Sequence, residues 1–216
     1  MSRGWARAAL VGYRWFGAAI YPLLGPYLAI RAAKGKEERS RRNERYGRSR
    51  IARPDGPLVW FHAASVGETL SVLPLINALI EDPDLTILIT SGTVTSATVI
   101  EPHLSERIIH HYVPVDLVDA VERFLDHWRP DLVLWAESEF WPNLILETTG
   151  RGTPMILING RISPRSYSSW KRARGIITKL LRRFDLCLGQ SEEDAERLRQ
   201  LGAPNVDCLG NMKFAV

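Results

Sequence analysis

At 216 residues the chain is long enough for one sizeable domain, or one domain with an appendage. Its 45% apolar content suits a globular protein. Its two cysteines, Cys187 and Cys208, are too few for a disulfide framework and fit reduced, buried thiols in a cytosolic compartment. No Cys/His spacing resembles a zinc site, so neither a metal nor a cofactor is called for. The net charge of +4 conceals an asymmetry: residues 1–50 hold 12 Lys/Arg against three Glu, and the other 166 hold 16 against 21 acidic residues. A basic arm on an acidic body implies a polyanion partner for the arm alone, either nucleic acid or an anionic membrane.

Residues 5–30 are apolar and aromatic, and Trp15–Ile30 runs 16 residues without a charge. A full membrane span needs about 20, so the run is short unless Arg14 snorkels. Pro22 and Pro26 are expected to kink it. Trp5, Tyr13, Trp15, Tyr21 and Tyr27 are residue types of a headgroup belt. The stretch therefore reads as a membrane anchor, either a short span or a helix in the interface. Its competitor is an amphipathic helix packed on the domain. A signal peptide fits less well, because no small-x-small cleavage site precedes the basic stretch.

Arg31–Arg50 follows with nine cations: Arg31, Lys34, Lys36, Arg39, Arg41, Arg42, Arg45, Arg48 and Arg50. Cations on this side of an apolar run place it in the cytoplasm, and each adds about 1 kcal/mol of attraction to anionic lipid. A nucleic-acid arm is the weaker reading, since no groove-reading module follows. Pro54-Asp55-Gly56-Pro57 then marks the start of the body. Residues 1–50 are thus expected as anchor and basic segment, 51–209 as the domain, and 210–216 as the start of a linker.

Within the body, strands are predicted at Leu58–His62, Thr86–Thr90, Arg107–Tyr112, Leu132–Ala136, Met155–Asn159, Leu186–Leu188 and Val206–Cys208. Helical spacing falls at 69–80, 94–103, 117–128, 141–148, 168–183 and 191–201. Short apolar strands alternating with helices predict a Rossmann-like α/β fold with a doubly wound parallel sheet. In such sheets ligands gather at the carboxyl ends of the strands.

The polar residues at those ends are the site candidates. Ser65-Val66-Gly67-Glu68 leads from the first strand into a helix. Glu68 there is either half of a Ser65/Glu68 capping box or an ionised carboxylate facing a ligand at a positive helix terminus. After the second strand comes Thr90–Ser96, a hydroxyl-rich loop that can hold phosphate or sugar, with Thr93 or Thr95 as an ordinary cap otherwise. After the fourth, Glu137 and Glu139 are two apart and point to different sides of an extended segment, which argues against one acid/base pair. Pro142 suits a first helical turn. After the fifth, Arg161 is either a carboxylate or phosphate clamp or a structural ion pair. The five histidines are scattered and none is assigned a catalytic role.

Taken together, His62–Glu68, Glu137–Asn143, Asn159–Ser163, Gln190–Asp194 with Leu201-Gly202-Ala203, and Gly210–Phe214 resemble the Kdo (3-deoxy-D-manno-octulosonic acid) transferases. Arg45-Tyr46-Gly47 resembles the segment that follows the anchor in that family. The resemblance covers essentially the whole chain, in the family's order. One departure is Thr93-Val94-Thr95-Ser96, where the family commonly carries Thr-Pro-Thr-Gly.

The resemblance implies the N-terminal half of a glycosyltransferase B architecture, membrane-associated on the cytoplasmic face of the inner membrane. It implies an inverting transfer of Kdo from CMP-Kdo to lipid A precursor. Glu68 would be the general base, and Glu137 and Lys213 would stabilise the transition state. Ser65, Gly67, Thr93, Arg161 and Ser163 would contact substrate. The donor domain is absent after Val216, so CMP-Kdo is a partner only if that domain is supplied, and the chain alone is expected to transfer nothing. A non-catalytic membrane-bound module of the same fold is the alternative. A soluble nucleotide-binding domain is the weakest reading, because no Gly-x-Gly-x-x-Gly follows the first strand.

Overall fold

A computed structural model describes residues 3–137 and 139–212. Seven parallel strands form one sheet: β1 (Leu58–His62), β2 (Thr86–Ser91), β3 (Ile108–Tyr112), β4 (Leu132–Ala136), β5 (Met155–Gly160), β6 (Leu186–Gly189) and β7 (Val206–Cys208). Their order is β3-β2-β1-β4-β5-β6-β7. The helices are α1 (Arg3–Ala33), α2 (Val66–Leu79), α3 (Val94–Ile100), α4 (Val118–Trp128), α5 (Pro142–Gly150), α6 (Pro164–Arg172), α7 (Arg174–Leu181) and α8 (Glu192–Leu201). This is the doubly wound Rossmann-like fold that the alternation predicts.

Every residue of β1 is buried, and the pleat divides them between two cores. Leu58 and Trp60 face a core built with Phe124 and Trp128 of α4, Leu144 of α5, Leu180 of α7 and Leu198 of α8. Val59 and Phe61 face the other, with Val72 and Ile76 of α2 and Ile100 of α3. A sheet covered on both faces explains strands that read as continuous apolar runs. In α4 the buried residues Ala120, Val121, Phe124, Leu125 and Trp128 fall on one helical stripe.

The predicted helix over 168–183 is two. Ser163 caps α6 by accepting from the Ser166 N–H at 3.1 Å, and the chain breaks at Ala173 before α7 begins. The break lets Gly175 meet α1, where an added Cβ would lie 2.9 Å from the Ala6 Cβ. The predicted helix over 94–103 ends earlier, at Ile100, and its last turn is the 3-10 stretch Glu101–His103.

Outside these layers, α1 lies across α7 and α4. It is held by Arg14 to Glu147 at 2.7 Å and by Tyr13 to Asp116 at 2.9 Å. Pro22 and Pro26 sit inside one continuous helix. Ala6, Leu24 and Leu28 are buried, while Trp5, Val11, Trp15, Phe16, Leu23, Tyr27 and Ile30 stay exposed. The short span expected as one alternative does not form: among the described residues no helix is long and apolar enough to cross a membrane.

Much of the basic segment is not free either. A 3-10 helix over Arg39–Tyr46 packs on α4 and β3. It ends at Gly47, where φ is +75° and a Cβ would come within 1.9 Å of the Ala120 carbonyl oxygen. Glu44 accepts from the Tyr112 N–H at 2.7 Å, and Arg41 donates to the His110 carbonyl at 2.9 Å. These two side chains cover the outer edge of β3, which would otherwise offer unpaired backbone groups. Arg31 pairs with Glu37 at 2.8 Å, Arg42 donates to the Gly25 carbonyl, and Arg45 is buried. Lys34, Lys36, Arg39, Arg48 and Arg50 are the cations of this stretch that stay exposed.

Candidate active site

The strand order reverses between β1 and β4. At such a switch point the connections leave on opposite faces and open a crevice at the carboxyl ends of the strands. Glu68 follows β1 and Glu137 follows β4, so both candidate acids sit at this crevice.

Beyond β1 the chain is pinned before it turns. Ala63 N–H donates to the Thr90 carbonyl at 2.9 Å, and Gly92 N–H donates to the Ala64 carbonyl at 3.0 Å. Ser65, in extended conformation, then caps α2: its Oγ accepts from the Glu68 N–H at 3.3 Å. The Ser65 hydroxyl donates to Glu68 Oε1 at 2.9 Å, and the Ala64 N–H donates to Oε2 at 2.7 Å. The capping reading of Ser65 and Glu68 is thus realised, and it is the cap that aims the carboxylate. Gly67 lies within the first turn, half-buried.

Glu68 is only 4% exposed, and among the described residues no Lys or Arg forms an ion pair with it. Burial pushes its carboxyl up to about 7, opposed by the hydrogen bonds from Ser65 and Ala64 and reinforced by the charges of Glu139 and Glu137. One of the two sequence readings puts an ionised carboxylate here. The structure instead gives a carboxyl raised to about 7, because desolvation outweighs the hydrogen bonds from Ser65 and Ala64. A carboxyl so tuned can take a proton from a hydroxyl and release it again.

Glu137 has a positive φ, +55°, and Asn159 at the end of β5 has +52°. Non-glycine residues in this region are uncommon and concentrate at functional sites. The Glu137 N–H donates to the Ile158 carbonyl at 3.0 Å, which carries the β4–β5 pairing one step past the strands. Glu139 accepts from Trp141 Nε1 at 3.1 Å, and its carbonyl accepts from Trp135 Nε1 at 2.8 Å.

Asp116, from the loop after β3, caps α5. Its Oδ1 accepts from Leu144 N–H at 2.8 Å and its Oδ2 from Asn143 N–H at 3.1 Å. Sequence reasoning misses Asp116, which lies 26 residues before the helix it caps.

The remaining candidates spread along the same edge. Thr93 caps α3 by accepting from Ser96 N–H at 3.1 Å. Arg161 is exposed after β5, beside Ser163, the cap of α6. Asp194 supports that loop by accepting from the Ile162 N–H at 2.8 Å. Met212 N–H donates to Asn159 Oδ1 at 3.3 Å, which brings the last described residues back over β5. Lys213 lies outside the described residues. His62 is fully buried, bonded through Nδ1 to Thr90 Oγ1 at 3.0 Å, and burial lowers it to about 3. It is neutral packing beneath the site.

Two solved structures share the fold. A UDP-N-acetylglucosamine 2-epimerase matches 76% of this chain and 47% of its own, at 12% identity and a TM-score of 0.51. An S. aureus MnaA–UDP co-structure matches 72% and 45%, at 14% identity and 0.52. In sequence, the chain is 36% identical over 212 residues to a probable mitochondrial 3-deoxy-D-manno-octulosonic acid transferase of Arabidopsis thaliana, covering 94% of this chain and 47% of that one. It is 33% identical over 204 residues to the 3-deoxy-D-manno-octulosonic acid transferase of Rickettsia bellii, covering 94% and 49%. To the Haemophilus influenzae transferase it is 30% identical over 199 residues, covering 89% and 46%. The chain thus spans about half the length of these relatives. Residues 40–216 match the family described as 3-deoxy-D-manno-octulosonic-acid transferase (kdotransferase). With the carboxylates at the switch point and the ordered motifs that carry them, the chain belongs to the 3-deoxy-D-manno-octulosonic-acid transferase family.

Proposed function

We propose that this chain is the acceptor-side half of an enzyme that moves Kdo from CMP-Kdo to lipid A precursor. Glu68 takes the proton from an acceptor hydroxyl as that oxygen attacks the anomeric carbon of Kdo. The bond from that carbon to CMP breaks, and CMP leaves with the electron pair. Glu137 and Lys213 stabilise the developing charge, and Ser65, Gly67, Thr93, Arg161 and Ser163 line the substrate side. The observation that carries the reading is a Glu68 carboxyl pushed up to about 7 at the switch point of the sheet, which suits a base working near neutral pH. The relatives are about twice as long as this chain, and the donor half is assigned to their remaining length.

The acceptor is a lipid, and α1 fits a membrane surface on the cytoplasmic face of the inner membrane. Trp15, Phe16 and Leu23 are 74%, 64% and 65% exposed on a helix whose opposite side is packed. Such a helix lies in the interface with its apolar face down. Five cations of the basic segment are left to meet anionic lipid.

The burial of Glu68 favours a second reading, a lipid-binding module without catalysis. Titration of the purified chain with lipid A precursor and with CMP, followed by addition of the donor half, tests the assignment. Acceptor binding, no CMP binding and transfer only on addition support it. Acceptor binding with no transfer in the reconstituted pair leaves the module.

A further inference from the structure

We propose that Arg45 is a positioning residue for Glu68: its guanidinium fixes the exit of β2, and through it the Ala64 peptide that holds the Glu68 carboxylate. The inference rests on Glu68 being the base.

Arg45 is 5% exposed and every nitrogen of its guanidinium is used. Nε donates to Glu37 Oε2 at 2.9 Å and Nη2 to Glu37 Oε1 at 3.2 Å. Nη1 donates to the Val113 carbonyl at 3.0 Å, and Nη2 also to the Gly92 carbonyl at 2.6 Å. Gly92 and Val113 are the first residues past β2 and β3. Arg45 therefore extends the order of the sheet one step beyond its ladder, on the side where the Glu68 loop stands. Gly92 in turn donates to the Ala64 carbonyl at 3.0 Å, and Ala64 donates to Glu68 Oε2 at 2.7 Å. The two loops touch backbone to backbone: a Cβ on Gly92 would lie 2.9 Å from the Ala64 oxygen. Two residues, Gly92 and Ala64, separate the guanidinium from the carboxylate.

Stability alone is a poor reason for this pair. A buried ion pair replaced by apolar side chains of similar volume is often no less stable. What apolar residues cannot supply is direction. The planar fork of arginine fixes two carbonyls and a carboxylate at once, and the point charge of lysine does not.

The test uses the 216-residue chain with Arg45→Met and Glu37→Met combined, so that neither of the two is left buried without the other; Arg31, the other partner of Glu37, is part-exposed and can turn to solvent. Folding is followed by circular dichroism, the Glu68 carboxyl is titrated by carbon-13 NMR, and amide exchange is read at Ala64 and along β1. We expect a folded protein whose Glu68 midpoint rises by about half a pH unit or more, since a hydrogen bond to the charged form is loosened. The Ala64 amide should exchange about tenfold faster while the β1 amides hold. Arg45→Lys, which keeps a cation beside Glu37, should move both readouts the same way. It carries the test if the double variant does not fold. A folded variant with Glu68 titration and Ala64 exchange unchanged overturns the proposal. Transfer that survives Glu68→Gln in the reconstituted pair would instead remove the base assignment and leave the coupling between Arg45 and Ala64 standing.

Discussion

Tyr13 donates its hydroxyl hydrogen to Asp116 across 2.9 Å, and the same carboxylate caps α5. The surface helix is thereby joined to the segment that follows Glu137 and Glu139. Removing the carboxylate with Asp116→Ala leaves two helix-terminal N–H groups without their acceptor and should cost about 1–3 kcal/mol. Tyr13→Phe should cost less, about 1 kcal/mol. Denaturant unfolding of the two variants checks the order.

Glu68→Gln should lower transfer by the reconstituted pair about 10²- to 10⁴-fold, the usual contribution of a general base. It should also change how stability depends on pH. The Glu68 carboxyl lies above its ordinary value of 4.5, at about 7, when folded. The folded state therefore holds a proton that the unfolded chain has released, and wild-type stability falls as pH rises from 4.5 to 7. Glutamine does not titrate, so the variant should gain on the wild type across that window. Thermal unfolding at pH 5 and pH 8 would show it; equal differences at both would count against a buried, raised carboxyl.

The same midpoint sets a pH profile for transfer. Activity should rise as pH increases through about 7, because only the ionised carboxylate accepts a proton. A rate independent of pH from 5.5 to 8.5 contradicts the assignment.

Gly92→Ala places a methyl group 2.9 Å from the Ala64 carbonyl oxygen, and backbone cannot step aside as a side chain can. A loss of about 1–3 kcal/mol is expected, together with a slower transfer rate in the reconstituted pair. Loss of stability with an unchanged rate would separate the β2 exit from the chemistry.

Trp15→Glu with Phe16→Glu tests the membrane face. Both side chains are largely exposed, so folding should be unaffected. Each apolar side chain withdrawn from the interface is worth about 1.5–3 kcal/mol, and sedimentation with anionic vesicles should fall at least about tenfold. Retained sedimentation would show that α1 does not lie in the bilayer surface.

The strands were legible because both faces of the sheet are covered. Leu58–His62 and Leu132–Ala136 form as read from sequence, each a continuous apolar run. The capping of α2 by Ser65 was legible too, since capping is local. What sequence does not reveal depends on distant partners. Asp116 caps a helix that begins 26 residues later, not the one it precedes. Arg45 reads as one more cation in a basic run, and only the fold brings Val113 and Gly92 to it. The left-handed backbone at Glu137 and Asn159 leaves no trace in residue type beyond the tolerance of asparagine for that region. The interruption at Ala173 answers to α1, far away in the chain.

The docking of Glu37 and Arg45 bears on how this protein can be shortened. The prolines at 54 and 57 invite a cut there, to free the body from its sticky leading helix. Such a trimmed product would lose the side chains that shield the outermost strand and clasp the neighbouring turns, and it would tend to self-associate along that bared margin. A start just ahead of Glu37 removes the greasy helix and keeps the clasp, which makes it the boundary for any lipid-free preparation.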